Sequence, residues 1–267
     1  MQVGIMTSFS AGMGFRQALP LIHAAGFRQI SLGGKPDLSG YANPEDLKEL
    51  EAMLQKLELR IDSLHAPFPE GDQLFSLEED ARQASLRLCR LSIEAASRLD
   101  GRAVVLHLIP YGVAPGETRQ RMIAKGRDSV SQLMDYAAPR GVKLALENGQ
   151  RDDYDEVLFQ LLDEFPPEQV GLCYDSGHEN VRGCCFELLE RYAARLICFH
   201  VHDNLGSDAH LLPFEGNIDW SKFNAILKRE QFDCALMLEP GMAGTQFTDP
   251  VEFLDVAINR AEKVLLA

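Results

Sequence analysis

Histidine, aspartate and glutamate recur at the ends of apolar runs in this chain, where such side chains can bind metal ions or move protons. The runs read SLH, VVLH, LALE, LCYD, ICFHVH and LMLE. The residues concerned are His65, His107, Glu147, Asp175, His200, His202 and Glu239, with His178 three positions after Asp175. A carboxylate beside a buried strand is costly unless it is paired, hydrogen-bonded or bound to a cation. The pattern therefore predicts a cation-binding site.

Each of these residues taken alone has an ordinary structural explanation. A single histidine often packs in a core, and a single glutamate at a strand end often forms a salt bridge. Taken together, mixed imidazole and carboxylate ligands suit Zn, Mn, Fe or Co better than Ca or Mg. We expect at least one divalent ion, with Zn or Mn favoured, and the number of candidates allows two or three.

These residues lie on a regular alternation of strand-like and helix-like segments. Strands are predicted at residues 2–7, 28–32, 58–65, 103–108, 142–147, 170–175, 196–202 and 234–239. Helices are predicted near residues 15–25, 44–56, 76–99, 117–139, 154–164, 182–193, 218–229 and 249–265. The length of 267 residues favours closure into one (β/α)8 TIM barrel, an α/β fold that spans residues 1–267 as a single domain. A doubly wound open sheet is the alternative.

Closure into a barrel would bring the candidate residues together, because the carboxyl ends of parallel strands meet at one rim. Trp220 is expected to pack against that rim, and Cys173 and Cys198 are expected to be core residues facing the interior. Capping residues support the helix boundaries: Asn43 and either Asp219 or Ser221 are predicted N-caps. Left-handed C-caps are predicted at Gly26, Gly101 and Gly141.

The composition limits the classes of partner. A net charge of −14 argues against a broad electrostatic grip on nucleic acid or anionic lipid. Six scattered cysteines indicate a reducing compartment rather than a disulfide framework, and the adjacent pair Cys184–Cys185 is expected to be helix content. We see no signal peptide and no transmembrane stretch, so a cytoplasmic protein without membrane contact is expected.

Six segments in this order resemble the xylose isomerase-like barrel superfamily, which includes sugar isomerases, ketose 3-epimerases, inosose-processing enzymes and endonuclease IV. They are LHAPF (64–68), LALEN (144–148), YDSGH (174–178), FHVHDN (199–204), DAHLLPFEGNIDW (208–220) and LEP (238–240). The resemblance covers essentially the whole chain and is clearest from the third strand onward.

The epimerase branch of this superfamily implies one metal ion held by Glu147, Asp175, His200 and Glu239. By the same resemblance, Glu147 and Glu239 would be the acid–base pair that moves a proton next to a carbonyl group. His178 and His202 would bind the substrate. The resemblance thus implies a metal-dependent isomerase or epimerase of a small sugar or sugar phosphate.

Two other functions stay open. The endonuclease IV branch holds three zinc ions with nine ligands and would make this chain a phosphoesterase. A candidate stands here for each ligand: His65, His107, Glu147, Asp175, His178, His200, Asp208, His210 and Glu239. The acidic run at residues 69–72 argues against a surface that faces DNA. The third function is metal-dependent sugar binding without turnover. Barrels of this kind often pair, so a homo-oligomer fits all three.

Overall fold

Eight parallel strands form the centre of the structure, a computed structural model that describes residues 1–183 and 186–267. The strands are β1 (Val3–Met6), β2 (Gln29–Leu32), β3 (Arg60–His65), β4 (Ala103–Leu106), β5 (Lys143–Glu147), β6 (Val170–Asp175), β7 (Leu196–His200) and β8 (Leu236–Leu238). The helices are α1 (Phe15–Ala24), α2 (Pro36–Ser39), α3 (Pro44–Lys56), α4 (Glu79–Arg98), α5 (Glu117–Ala137), α6 (Asp152–Glu164), α7 (Ser176–Arg182), α8 (Glu187–Arg191), α9 (Trp220–Glu230) and α10 (Pro250–Leu266). The Cys184–Cys185 pair lies outside the described residues.

Sequential strands pair with one another from β1 to β7, and β8 pairs with β1. The remaining gap between β7 and β8 is bridged just beyond β7. There the amide of Val201 donates to the carbonyl of Met237 at 2.8 Å, and the amide of Glu239 donates to the carbonyl of Val201 at 2.9 Å. The sheet is therefore a nearly closed (β/α)8 TIM barrel. The predicted fold is confirmed, and the open-sheet alternative is wrong.

Small and branched side chains fill the barrel interior, and larger apolar side chains fill the layer between strands and helices. The interior set consists of Ala103, Val105, Ala145, Cys173, Ile197 and Cys198. Cys173 and Cys198 are fully buried neighbours on β6 and β7, as expected of core residues. Strands buried on both faces in this way have continuous apolar sequences. The alternation of strand and helix segments could therefore be recognised in the sequence.

Both predicted N-caps are confirmed, the second of them at Asp219 rather than Ser221. The side chain of Asn43 accepts from the amide of Asp46, and that of Asp219 accepts from the amide of Lys222. Two short helices, α2 and α7, were not predicted. Helix α7 begins directly after β6 because the carboxylate of Asp175 caps it. The helix predicted at 182–193 instead corresponds to the end of α7 and to α8.

The glycine C-caps were predicted correctly at two of three positions. Gly26 and Gly141 adopt left-handed conformations, with φ of 103° and 71°. At the third position Asp100 takes the left-handed conformation instead, with φ of 56°. Position 101 favours glycine for a different reason: the Cβ of any other residue there would lie only 2.9 Å from Cγ2 of Ile61. Across residues 1–183 and 186–267, no helix is long and apolar enough to cross a membrane.

Candidate metal centre

The carboxyl ends of β3 to β8, and the loops after them, bring the predicted residues to one rim of the barrel. A cavity of about 700 Å³ opens there, a size suited to a small molecule. The predicted residues that line it are His65, His107, Glu147, His178, Asp208, His210 and Glu239. Asp175 and His200 lie beneath them and have no exposed surface. The convergence expected from the strand ends is therefore present.

Glu147, Asp175, His200 and Glu239 form a central group whose donor atoms lie within 4.8 Å of one another. Nδ1 of His200 lies 3.3 Å from Oε1 of Glu147 and 3.1 Å from Oε2 of Glu239. Yet both ring nitrogens of His200, and one oxygen of each glutamate, are buried with no hydrogen-bond partner in the described structure. Such atoms are costly unless something satisfies them. A divalent cation fits this donor set.

His65, His107 and Glu147 form a second set, the entrance group, on β3, after β4 and on β5. Nε2 of His65 lies 3.6 Å from Oε2 of Glu147, and Nε2 of His107 lies 3.4 Å from it. Nδ1 of His107 is turned outward, 3.1 Å from the carboxylate of Asp72. Glu147 is thus shared between the entrance group and the central group.

His178, His202, Asp208 and His210 form a third set, the loop group. Nε2 of His210 lies 3.3 Å from Oδ1 of Asp208, and Nε2 of His178 lies 3.7 Å from Oδ2. The carboxylate of Asp208 also accepts from the side chain of Gln150 at 2.7 Å. The nine candidates, together with His202, thus fall into three groups that meet at the barrel mouth.

Backbone carbonyls orient three of these imidazoles. Nδ1 of His65 lies 2.7 Å from the carbonyl of Ala66, and Nδ1 of His178 lies 2.8 Å from that of Asn148. Nδ1 of His210 lies 2.9 Å from the carbonyl of Glu239. A carbonyl only accepts, so Nδ1 carries a proton, and Nε2 is the nitrogen that faces the neighbouring candidate metal ligands. Metal-bound histidines are commonly oriented in this way.

His202 occupies a different position from the one expected of a substrate-binding residue. Its side chain has no exposed surface and stacks on His210, with ring centroids 4.0 Å apart. Nε2 of His202 lies 3.1 and 3.2 Å from the two oxygens of Asp175. The ring is therefore placed to orient Asp175 from behind, whereas His178 lines the cavity.

In the absence of a metal ion, neighbouring carboxylates favour protons on His107, His178, His200 and His210. Burial alone would lower the pKa of His178, but the carboxylates of Asp175, Asp208 and Glu147 together outweigh it and raise that pKa to about 10. Burial alone would also raise the pKa of Asp175, but His178 and His202 lower it to about 2. Likewise, His200 helps to hold the pKa of Glu147 well below its usual value despite burial. A bound cation would take the place of these protons.

Several supporting residues could not be identified from the sequence. Asn148 joins the ends of β5 and β6: its side chain donates to the carbonyl of Asp175 at 2.9 Å and accepts from that residue's amide at 2.7 Å. In the acidic run 69–72, Glu70 pairs with Lys35 at 3.2 Å and Asp72 holds His107. The one signal for Asn148 was its position directly after Glu147; nothing in the sequence indicated a partner for Asp72.

Comparisons with known proteins agree with this architecture. A family model described as xylose isomerase-like TIM barrel matches residues 19–256. The uncharacterized protein y4fM of Sinorhizobium fredii is 26% identical over 254 residues, which cover 86% of this chain and 82% of that protein. A probable endonuclease 4 of Natranaerobius thermophilus is 32% identical over 215 residues, which cover 70% and 73%.

Solved structures show the same fold over the full length. A D-tagatose 3-epimerase-like protein, 21% identical, aligns with a TM-score of 0.82 over 100% of this chain and 98% of that one. A D-psicose 3-epimerase, 16% identical, aligns with a TM-score of 0.80 over 100% of both chains. Since the family model matches most of the chain, this protein belongs to the xylose isomerase-like TIM barrel family.

Proposed function

We propose that this protein is a divalent-metal-dependent isomerase or epimerase of a small sugar or sugar phosphate. The observation that carries the proposal is the position of two glutamates in the central group. Glu147 comes from β5 and Glu239 follows β8, and both approach Nδ1 of His200. Two carboxylates from separate strands can serve as the acid and the base of one proton transfer.

The residues of the central group would hold the metal ion, which would supply polarisation of a substrate carbonyl. Glu239 is the more accessible glutamate, with 16% of its side chain exposed against 3% for Glu147. Its carboxylate would take the proton from the carbon next to the carbonyl. Glu147 would deliver to the same carbon a proton taken up from solvent, and Glu239 would release its proton to solvent. His178 at the cavity wall would bind a substrate hydroxyl group.

The cavity supports a compact, polyhydroxylated substrate. Phe68, Tyr111 and Pro110 offer apolar surface suited to the C–H face of a sugar, while Gln73 and Gln150 offer hydrogen-bonding groups. Solved structures named as D-psicose 3-epimerase and L-ribulose 3-epimerase share the fold over the whole chain, which is consistent with this substrate class.

Solvent exchange tests the proposal. The metal-loaded protein would be incubated in D2O with ketoses and their phosphates, and deuterium at carbon followed by NMR. We expect uptake with at least one sugar, reduced by about 100-fold or more in Glu239→Gln. Glu230→Gln, at an exposed position on α9, is the matched control and should exchange normally. Tight sugar binding with no exchange would instead support the non-catalytic binding protein.

Phosphoester hydrolysis is a second candidate, favoured by one specific observation. The entrance and loop groups add two sets of donors to the central group, more than a single proton transfer needs. Several cations at one mouth can bind a phosphodiester and activate water for in-line attack. The relative named as a probable endonuclease 4 is consistent with this chemistry. Cleavage of an abasic-site duplex by protein with two or three Zn equivalents would replace the isomerase proposal.

A further inference from the structure

Asp203 is a buried carboxylate next to the metal groups but outside all three of them. It lies three residues after the end of β7 and has no exposed surface. Its Oδ1 accepts from the amides of Asn204 at 2.9 Å and Ile218 at 3.3 Å. Its Oδ2 accepts from the amide of Phe214 at 2.9 Å and from Nε1 of Trp220 at 3.0 Å.

All four donors are neutral N–H groups, and Asp203 has no ion-pair partner within the described part of the chain. Each donor comes from the segment 204–220. A carboxylate that accepts several N–H groups forms strong, charge-assisted hydrogen bonds, so this one side chain can organise an irregular segment. Its role is thus local, because it holds together the loop that follows it.

The loop closes tightly around this carboxylate. The backbone of Asp203 pairs with that of Leu211 in both directions, at 2.8 and 2.9 Å. Gly216 passes so close that a Cβ there would collide with Oδ1 of Asp203 and with the carbonyl of Asn204. The segment 204–219 therefore has its shape without any regular helix or strand.

Two candidate metal ligands of the loop group lie on this segment. Asp208 and His210 stand between the Leu211 bridge and the turn after β7, and His210 has a left-handed backbone with φ of 45°. Such a conformation is unfavourable for a residue other than glycine and needs support from its surroundings. The backbone bonds between Leu211 and Asp203 give part of that support. The Asp203 carboxylate adds to it, because it ties the two ends of the same loop together through the amides of Asn204, Phe214 and Ile218.

We propose that Asp203 is a positioning residue that places Asp208 and His210 for metal binding at the loop group. The proposal rests on the metal centre proposed above. It predicts that Asp203 controls metal affinity at the loop group and leaves the central and entrance groups unaffected, since the donors to its carboxylate all belong to the loop.

The experiment uses Asp203→Asn in the full chain. Metal-free protein would be titrated with Zn²⁺ by calorimetry, and with Co²⁺ by visible absorption, which reports coordination geometry. We expect three equivalents in the parent protein. In Asp203→Asn one equivalent should bind about 10 to 100-fold more weakly, as when a partner of a metal ligand is removed, while two keep their affinity.

Trp220, the single tryptophan of the chain, gives an independent readout because its indole donates to Asp203. Its emission should change in Asp203→Asn while far-UV circular dichroism does not.

Trp220→Phe removes one of the four hydrogen-bond donors to Asp203 and should weaken binding of the same metal equivalent by less than Asp203→Asn does. This second variant keeps the test valid if Asp203→Asn fails to fold. Glu230→Gln, at an exposed position on α9 outside the three groups, is the control and should bind as the parent does.

Normal affinity for all three equivalents in both loop variants would overturn the proposal, as would a parent protein that binds no metal through His178, Asp208 and His210. Failure of the proposed function is distinguishable from these results. A protein without sugar exchange whose third equivalent is weakened in Asp203→Asn rejects the isomerase and retains this inference. A protein that exchanges a sugar proton, and whose third metal equivalent is unaffected in Asp203→Asn, retains the isomerase and rejects this inference.

Discussion

At the scale of single residues, the mouth is defined by which nitrogen each histidine turns inward. His65, His178 and His210 point Nδ1 at backbone carbonyls, and His107 points Nδ1 at Asp72. In all four, Nε2 is therefore left toward the other candidate ligands. The residue types were predictable because they follow apolar runs. Their partners were not, because a backbone carbonyl has no signature in the sequence.

Asp72 gives a direct test of this orientation. In Asp72→Asn the carboxylate that holds Nδ1 of His107 becomes an amide, a weaker acceptor, so His107 should be a poorer ligand. We expect metal affinity at the entrance group to fall about 10-fold, measured by Zn²⁺ titration. Glu70→Gln changes an acid of the same run that pairs with exposed Lys35, and it should bind normally. Equal affinities in the two variants would contradict the role given to Asp72.

The protonation of the mouth predicts a pH dependence for metal-free protein. Burial acts against it, but the neighbouring carboxylates raise the pKa values of His107, His178 and His210 to about 10. These histidines therefore bind protons more tightly in the folded state than in the unfolded state. Their stabilising effect is complete below about pH 6.5 and is lost as the pH rises toward 10.

Thermal unfolding of chelator-treated protein across this range checks the prediction. The melting temperature should fall as the pH rises from about 6.5 to about 10. With saturating Zn²⁺ the fall should be smaller, because metal binding needs the imidazoles deprotonated and becomes tighter at higher pH. A metal-free protein whose melting temperature rises over this interval would contradict the protonation described here.

At the scale of elements, a strand or helix could be located from the sequence only where the regular spacing of its apolar residues extended over enough positions. Strands β3 to β7 and long helices such as α4 and α5 were located within a few residues, because their apolar positions repeat regularly. The short helix α7 was missed, since Asp175 acts both as a strand end and as a helix cap. The segment 204–219 has no periodic pattern, so its fold around Asp203 was not foreseeable.

Glu179 on α7 shows how a buried carboxyl holds two of these short elements together. Its oxygens accept from the hydroxyl of Tyr174 at 2.6 Å and from the amide of Leu188 on α8 at 2.7 Å. Burial raises the pKa of Glu179 to about 7. The folded state thus holds this proton more tightly than the unfolded state does, and stability falls as the pH rises from about 4.5 to about 7.

Replacement by glutamine should remove that contribution. We expect Glu179→Gln to be more stable than the parent near pH 8, by on the order of 1 kcal/mol or more, and closer to it near pH 4.5. Urea unfolding at both pH values measures the difference. Glu230→Gln, on the exposed end of α9, should show no such pH-dependent gain. A larger gain at the lower pH would reverse the sign and refute the assignment.

At the scale of the whole molecule, the barrel and the rim that carries the candidate residues were predictable because eight strand–helix pairs in one chain leave few topologies. Closure then determines where strand ends meet, so Glu147 and Glu239, far apart in sequence, approach the same atom of His200. The division of the donors into three groups was not predictable in this way. It depends on side-chain directions and on a loop that no pattern described.

The charge of the whole chain also has a different meaning once the fold is known. The net charge is −14, and several of the acids are buried at the mouth against imidazoles. Of the residues at 69–72, Glu70 is paired and Asp72 holds a histidine. The acidic run at 69–72 therefore helps to hold side chains at the barrel mouth. Its charge alone does not distinguish a sugar substrate from a phosphodiester substrate.

Metal content per chain tests the central claim most directly. Elemental analysis of protein purified without added metal or chelator would be compared with Glu147→Gln, which alters the residue shared by the central and entrance groups. We predict at least one equivalent of Zn or Mn in the parent protein and loss of that metal in the variant, with the circular dichroism unchanged. A folded parent protein that holds no divalent metal, even after reconstitution with Zn²⁺ or Mn²⁺, would contradict the account.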